Sequence, residues 1–292
     1  MTKHAFLLIV YSQADYVKQF IEMLDSERSN IYIHIDPNFI NDYKSLIEYS
    51  HKNNIHYYSE YKMMWGGVGI INAQAKLINE ALKDTSNEFF HLLTCHDILC
   101  RPLNELFEFF DKNNNKQFIT YEHLPKKEWL DNGGINRYEH YHIYDLIKVR
   151  NYPRLHLYSI NHTVLSKLQT IFHIHRKQIF KQMYGGGSYW SLNRDGAKCL
   201  DKYLSNKDFI KRCKYCWAPD EFIPQSILLN NDLNVENNNL RYIDWNAKGV
   251  SLPKTLEESD YNAIIQSKAF FARKIDINKS NKLIQLIKNR IS

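Results

Sequence analysis

The tetrapeptide Pro219-Asp220-Glu221-Phe222 sets two carboxylates behind a proline and ahead of an apolar run that reaches Leu229. Proline first and acids in the first turn are the marks of a helix start. The partial positive charge of a helix N-terminus keeps such a carboxylate ionised. An ionised carboxylate beside a bound hydroxyl can remove its proton, so Glu221 is the candidate general base. As plain structure the same residue is a helix-start acid, and Asp220 fits that description equally. A second group lies at 269–276, where Ala269-Phe270-Phe271 is followed by Arg273, Lys274 and Asp276. Cations on a rigid aromatic base can hold an anion. They can also run their stems along apolar surface to water. Arg241, in the short apolar stretch 240–245, is a third cation of this kind. Arg273, Lys274 and Arg241 are the candidates to hold a diphosphate. Arg273 is the rival to Arg241, or a partner for Asp276.

The usual fingerprints for phosphate and metal are missing. There is no GxxxxGK[ST] and no GxGxxG. No Asp-x-Asp pair is present to hold a divalent cation, and His34-Ile35-Asp36 supplies a single carboxylate. The run YGGGSYW (184–190) lacks a following lysine and reads as a place where backbone approaches a ligand closely. The five cysteines are irregularly spaced and read as free thiols. Cys213 and Cys216 form one CxxC without the two further ligands zinc needs. The expectation is therefore no metal and no cofactor.

These residues need a frame. Residues 4–12 form a continuous apolar run, as in a parallel strand covered on both faces. A helical stripe follows at Tyr16, Val17, Phe20, Ile21 and Leu24. Strands are expected at 30–38, near 55–60 and at 88–97, with helices between them. This alternation predicts α/β, with a mostly parallel central sheet and helices on both faces. Ligands bind such sheets beyond the carboxyl ends of the strands. Tyr11, Asp36, Trp65 and Asp97 stand there. Residues 121–180 are rich in Tyr, His and Arg and poor in periodicity. They are expected to be an insertion of loops and short helices on the acceptor side of a single domain, 1–292.

The tail, 280–292, reads as a basic amphipathic helix. Leu283, Ile284, Ile287 and Ile291 share a face, with Lys282, Lys288 and Arg290 nearby. It either docks on the domain or a partner copy, or adsorbs weakly to an anionic membrane. The N-terminal apolar run is too short to span a bilayer.

Seven stretches occur in order: IYIHIDPN (31–38), MWGGVGIINA (64–73), HLLTCHD (91–97), GGSYWSLNRDGA (186–197), PDEF (219–222), RYIDW (241–245) and FFARKID (270–276). With these the chain resembles the core-2/I-branching β-glycosyltransferase family, which includes the peptide O-xylosyltransferases. The resemblance implies a GT-A-like nucleotide-sugar-binding fold, inversion at the anomeric carbon and no need of metal. It implies Glu221 as base and Lys274 with Arg241 at the diphosphate. Asp36 would meet the uridine ribose or base, Val10 and Tyr11 the uracil, and Trp65 the nucleoside face. Asp97 would face the sugar or acceptor. Trp190 would stack on a sugar, unless it is a core tryptophan. The chain departs from the pattern at Leu99-Cys100, Gly69 and Leu252. None of these is a presumed catalytic group.

The chain has 292 residues and a formal charge of +6, which suits anionic ligands without demanding nucleic acid. Its charges are scattered and no RNP-like segment occurs, so RNA binding is disfavoured. The expectation is a UDP-sugar donor, GlcNAc or xylose, and a glycan acceptor, free or lipid-linked. The setting would be bacterial cell-surface polysaccharide synthesis, in the cytoplasm or at the inner face of the membrane. The alternative is a non-catalytic nucleotide- or glycan-binding protein on the same fold.

Overall fold

A computed structural model describes residues 1–49, 53–143 and 156–291. The first half alternates as expected: β1 (Lys3–Val10), α1 (Ala14–Leu24), β2 (Ser29–Ile35), α2 (Lys44–Tyr49), β3 (Ile55–Tyr58), α3 (Gly69–Lys83) and β4 (Asn87–Thr94). Then come β5 (Ile98–Leu99), α4 (Leu103–Lys112), β6 (Gln117–Ile119) and β7 (Glu122–His123). The region expected as an insertion holds α5 (Leu130–Gly133), α6 (Asn136–Glu139) and α7 (His156–Ile171). Residues 144–155 of it lie outside the described residues. At 16 residues α7 is longer than the short helices expected there. The remainder is β8 (Tyr184–Gly185), β9 (Trp190–Asn193), α8 (Arg194–Leu204), α9 (Lys207–Cys213), α10 (Ile223–Leu229), β10 (Val235–Asn237), β11 (Arg241–Ile243), α11 (Tyr261–Gln266), β12 (Phe271–Arg273) and α12 (Ile277–Ile291).

Seven strands form the central sheet in the order β10-β6-β9-β4-β1-β2-β3. Every pairing is parallel except those of β9, which runs antiparallel to both β4 and β6. β1 explains why its sequence is apolar throughout. Successive side chains of a strand point to opposite faces. Phe6, Leu8 and Val10 pack with α1, α4 and α12 on one face. Ala5, Leu7 and Ile9 pack with α3, α8 and α10 on the other. The architecture is thus α/β, with a mostly parallel sheet and helices on both faces.

A smaller sheet, β11-β12-β5, completes the frame. Its middle strand is the aromatic stretch 271–273, with Phe271 opposite Arg241 on one side and Leu99 on the other. Phe270 and Phe271 are buried, so they anchor this strand.

Of the two forms expected for the tail, the structure shows the first. Leu283, Ile284 and Ile287 are buried in the core beneath the sheet. The apolar face that would have entered a membrane is already covered by the protein, so α12 offers no anchor of that kind. The docked helix is the form observed. Among the described residues no helix is long and apolar enough to cross a membrane.

Candidate active site

The segment around Glu221 is bent by its own backbone. Ala218 adopts φ +48°, and its N–H donates to the Gly66 carbonyl at 2.8 Å. Pro219–Glu221 then forms one tight turn, and α10 begins two residues later. The acids therefore lie in a turn preceding the α-helix. Asp220 is buried and accepts from the Ser188 hydroxyl at 2.7 Å. Burial, and then the neighbouring Glu221 charge, raises its pKa to about 6. The Glu221 side chain keeps 38% of its surface exposed.

Glu221 Oε2 accepts from Arg137 Nη1 at 2.5 Å. The Arg137 guanidinium lies between two indoles, 3.8 Å from the Trp129 ring centre and 4.5 Å from that of Trp217. Such stacking favours the planar guanidinium and fixes its orientation. Trp217 meets Trp65 edge-on at 6.4 Å, and Trp65 is 72% exposed. Trp65, Trp217, Arg137 and Glu221 thus make one continuous wall. Trp65, at the far end of it from the carboxylate, presents its ring to solvent.

The glycine run serves packing first. A Cβ at Gly186 would lie 2.0 Å from the Thr120 carbonyl oxygen, and the Gly186 N–H donates to the Glu221 carbonyl at 2.8 Å. The close approach expected toward a ligand is made toward Thr120 instead. The loop then carries Ser188 to Asp220 and Tyr189 to Arg273, whose guanidinium sits 3.8 Å from the Tyr189 ring centre.

That second contact leads to the other wall, where several expected roles change. Asp97 is fully buried. One carboxylate oxygen accepts from the Thr94 N–H and hydroxyl at 2.5 and 2.9 Å, and the other pairs with Arg273 at 3.3 Å. Asp97 therefore supports Arg273 from below and does not face a sugar; Arg273 pairs with Asp97 rather than Asp276. Arg241 is also buried, donating to the Ser191 hydroxyl at 3.0 Å, to the Leu92 and Trp190 carbonyls at 2.9 Å and to the Asn239 carbonyl. Burial lowers its pKa to about 10. Its guanidinium ties the two sheets together and is not available to a diphosphate.

Lys274 is different. It is half-buried beside His96, and among the described residues its ammonium makes no ion pair. Of the expected pair, Lys274 alone keeps a free charge.

Trp190 is completely buried, so it is a core tryptophan and cannot stack on a sugar. Asp36 is buried too; its oxygens accept from the Asn38 N–H at 2.8 Å and the Met63 N–H at 3.0 Å. It acts as the turn residue that ties the end of β2 to the segment leading to Trp65. Val10 is buried, and its carbonyl receives the Asp36 N–H at 2.9 Å. Tyr11 is partly exposed, with its ring 5.5 Å from that of His96.

Gln13, Arg137, Ser188 and Trp217 carry this geometry without having stood out in sequence. The Gln13 amide donates to the Cys95 carbonyl at 3.0 Å and the Ile275 carbonyl at 3.3 Å, and accepts from the Ile277 N–H at 2.7 Å. It joins the segments that leave β1, β4 and β12. Cys213 and Cys216 are buried free thiols, and among the described residues no cluster of three or more His, Cys, Asp or Glu gathers.

Comparison with known proteins adds a family. A family model described as Core-2/I-Branching enzyme matches residues 4–266. Xylosyltransferase 2 of Rattus norvegicus is 23% identical over 146 residues, covering 48% of this chain and 17% of that protein. Xylosyltransferase 2 of Mus musculus is 24% identical over 142 residues, covering 47% and 16%. The match thus spans less than a fifth of the length of these curated relatives. Among solved structures, S. aureus TarS 1–349 in complex with UDP-GlcNAc matches at TM-score 0.31 and 15% identity, over 41% of this chain and 34% of that one. A 4-diphosphocytidyl-2C-methyl-D-erythritol synthase from Anaerococcus prevotii matches at TM-score 0.39 and 12% identity, over 91% and 96%.

Proposed function

The chain belongs to the Core-2/I-Branching enzyme family, and on that premise we propose that it is an inverting glycosyltransferase using a UDP-sugar. The observation that carries the reading is the Glu221 carboxylate, partly open to solvent and held by a stacked arginine. Glu221 takes the proton of an acceptor hydroxyl. The hydroxyl oxygen bonds to the anomeric carbon from the face opposite the nucleotide. The bond from that carbon to the β-phosphate oxygen breaks, and its electron pair leaves with UDP. Lys274 supplies positive charge to the departing diphosphate, so the step proceeds without a metal. GlcNAc and xylose are the donors this family membership favours. The acceptor is a glycan hydroxyl, and the setting is assembly of a cell-surface polysaccharide on the cytoplasmic side of the membrane.

The test is a panel of UDP-sugars assayed for UDP release, with isothermal titration of UDP alongside. Release from UDP-GlcNAc or UDP-xylose that persists in excess EDTA supports the reading. UDP binding with no release from any sugar supports a non-catalytic nucleotide-binding protein instead.

A further inference from the structure

Next to the Trp65–Trp217 wall, α3 and α9 enclose a cleft of about 850 Å³. Five lysines line it, Lys62, Lys76, Lys207, Lys211 and Lys214, against one carboxylate, Glu60. Lys76 is committed to Glu60 and Glu80, at 2.7 and 3.3 Å. Lys62, Lys207, Lys211 and Lys214 have no ion pair among the described residues, and all four are exposed. Lys207, Lys211 and Lys214 recur at helical spacing, so they project from one side of α9 and the residue after it. The facing wall includes Val68 and Gly69, where the 15-residue α3 begins. A helix start adds partial positive charge to the same space. Val68 and Ile210 supply apolar surface between the charges.

Four unpaired cations facing one cleft repel each other unless an anion joins them. Two of its lining residues lie in the segments that carry Trp65 and the base. Met64 lines it and Trp65 follows; Lys214 lines it, and Trp217, Asp220 and Glu221 follow on the same segment. The two segments are tied by the Ala218 N–H to Gly66 carbonyl bond at 2.8 Å.

We infer that this cleft binds a phosphate or diphosphate group carried by the acceptor, holding its hydroxyl toward Glu221. Lysine serves phosphate as a compact point charge with rotatable donors. The inference rests on the transferase reading above, because it assigns the acceptor to that site. The phosphate belongs either to a lipid-linked diphosphate or to the glycan itself.

The experiment titrates inorganic pyrophosphate and geranyl diphosphate into protein saturated with UDP, so that the donor site is filled. The same titrations are run on the triple variant Lys207→Gln, Lys211→Gln, Lys214→Gln and on the corresponding triple arginine variant. The expected result is at least a tenfold loss of pyrophosphate affinity in the glutamine variant and recovery in the arginine variant. Tighter binding of geranyl diphosphate than of pyrophosphate assigns the phosphate to a lipid-linked acceptor; equal binding assigns it to the glycan. Pyrophosphate affinity equal in wild type and glutamine variant overturns the inference. A wild-type protein that does not bind UDP removes the transferase reading, while the lysine comparison, run without UDP, still reports on the cleft.

Discussion

Arg137 and Glu221, 84 residues apart in sequence, meet through a single charged hydrogen bond of 2.5 Å. The arginine is held at its other faces by Trp129 and Trp217. The carboxylate is thereby aimed by a group with almost no freedom of its own. Truncating Arg137 to Ala should lower turnover at least tenfold while UDP affinity holds. Arg137→Lys should not restore it, because an ammonium cannot stack between two indoles as a planar guanidinium does. Equal turnover in the lysine and wild-type enzymes would show that charge alone suffices.

Glu221→Gln keeps the shape and can still accept a hydrogen bond from Arg137. Turnover should fall by roughly 100-fold or more, the scale of a lost general base. Unchanged turnover would move the base to another group, with Asp220 the nearest carboxylate.

The two cations first paired in sequence should now behave differently. Lys274→Ala should weaken UDP binding by about 1.5–3 kcal/mol, the scale of a hydrogen bond to a charged group, and leave uridine binding nearly untouched. Arg241→Met should instead lower the unfolding free energy by about 3 kcal/mol or more, since it leaves buried carbonyls without donors. Thermal melts and titrations on both variants separate these outcomes. A selective loss of UDP binding in a stable Arg241→Met protein would return that residue to the diphosphate.

Stability should depend on pH through a buried pair. His4 Nδ1 and His91 Nε2 are hydrogen-bonded at 2.9 Å, and His91 continues to Ser191 at 2.9 Å. Burial, helped by the charge of Arg28, lowers the His4 pKa from 6.5 to about 3; burial, His4 and Arg241 push His91 well below its usual value. Both rings are neutral in the folded protein and become charged when it unfolds in mild acid. The unfolded state then binds more protons, so stability is complete above pH 6.5 and falls as pH drops toward 3. The slope approaches about 1.4 kcal/mol per pH unit for each histidine. Urea melts from pH 4 to 8 measure it, and a flat profile would contradict the neutral pair.

For α12 the expected failure is one of folding. Leu283→Ala should cost about 2–5 kcal/mol, as for a core leucine. Vesicle sedimentation of the folded wild-type protein should be unaffected by Lys282→Glu and Arg290→Glu, both on exposed positions of that helix. Reduced pelleting would restore a membrane role to the tail.

The frame was legible because its signals are local. β1 is apolar on both faces, and the period of α1 appears directly in Tyr16, Val17, Phe20, Ile21 and Leu24. The stretches around Glu221 and Lys274 were legible because each is short and contiguous. What sequence concealed was direction. Asp97 and Arg241 carry the right charges at strand ends, yet both turn inward and bind each other's neighbourhood. Trp190 opens β9 and points into the core, a choice fixed by which face α10 covers. Arg137 and Trp217 come from segments with no periodicity, and only tertiary contact makes them partners. The signal for Arg137, an arginine among aromatics, was present in 121–180 but could not be assigned to a target.

The Gln13 bridge has a consequence for how the protein comes to life. A single side-chain amide near the start of the chain waits for Ile275 and Ile277, 262 and 264 residues later. β12 cannot form its sheet until β5 and β11 are both available, and its two neighbours lie far apart in sequence. Contacts this distant are slow to close, because the loop entropy is spent before they reward it. A chain ending between residues 95 and 270 can pair β1 to β4 yet lacks β12 and the Gln13 contacts that join its exit to those of β1 and β4.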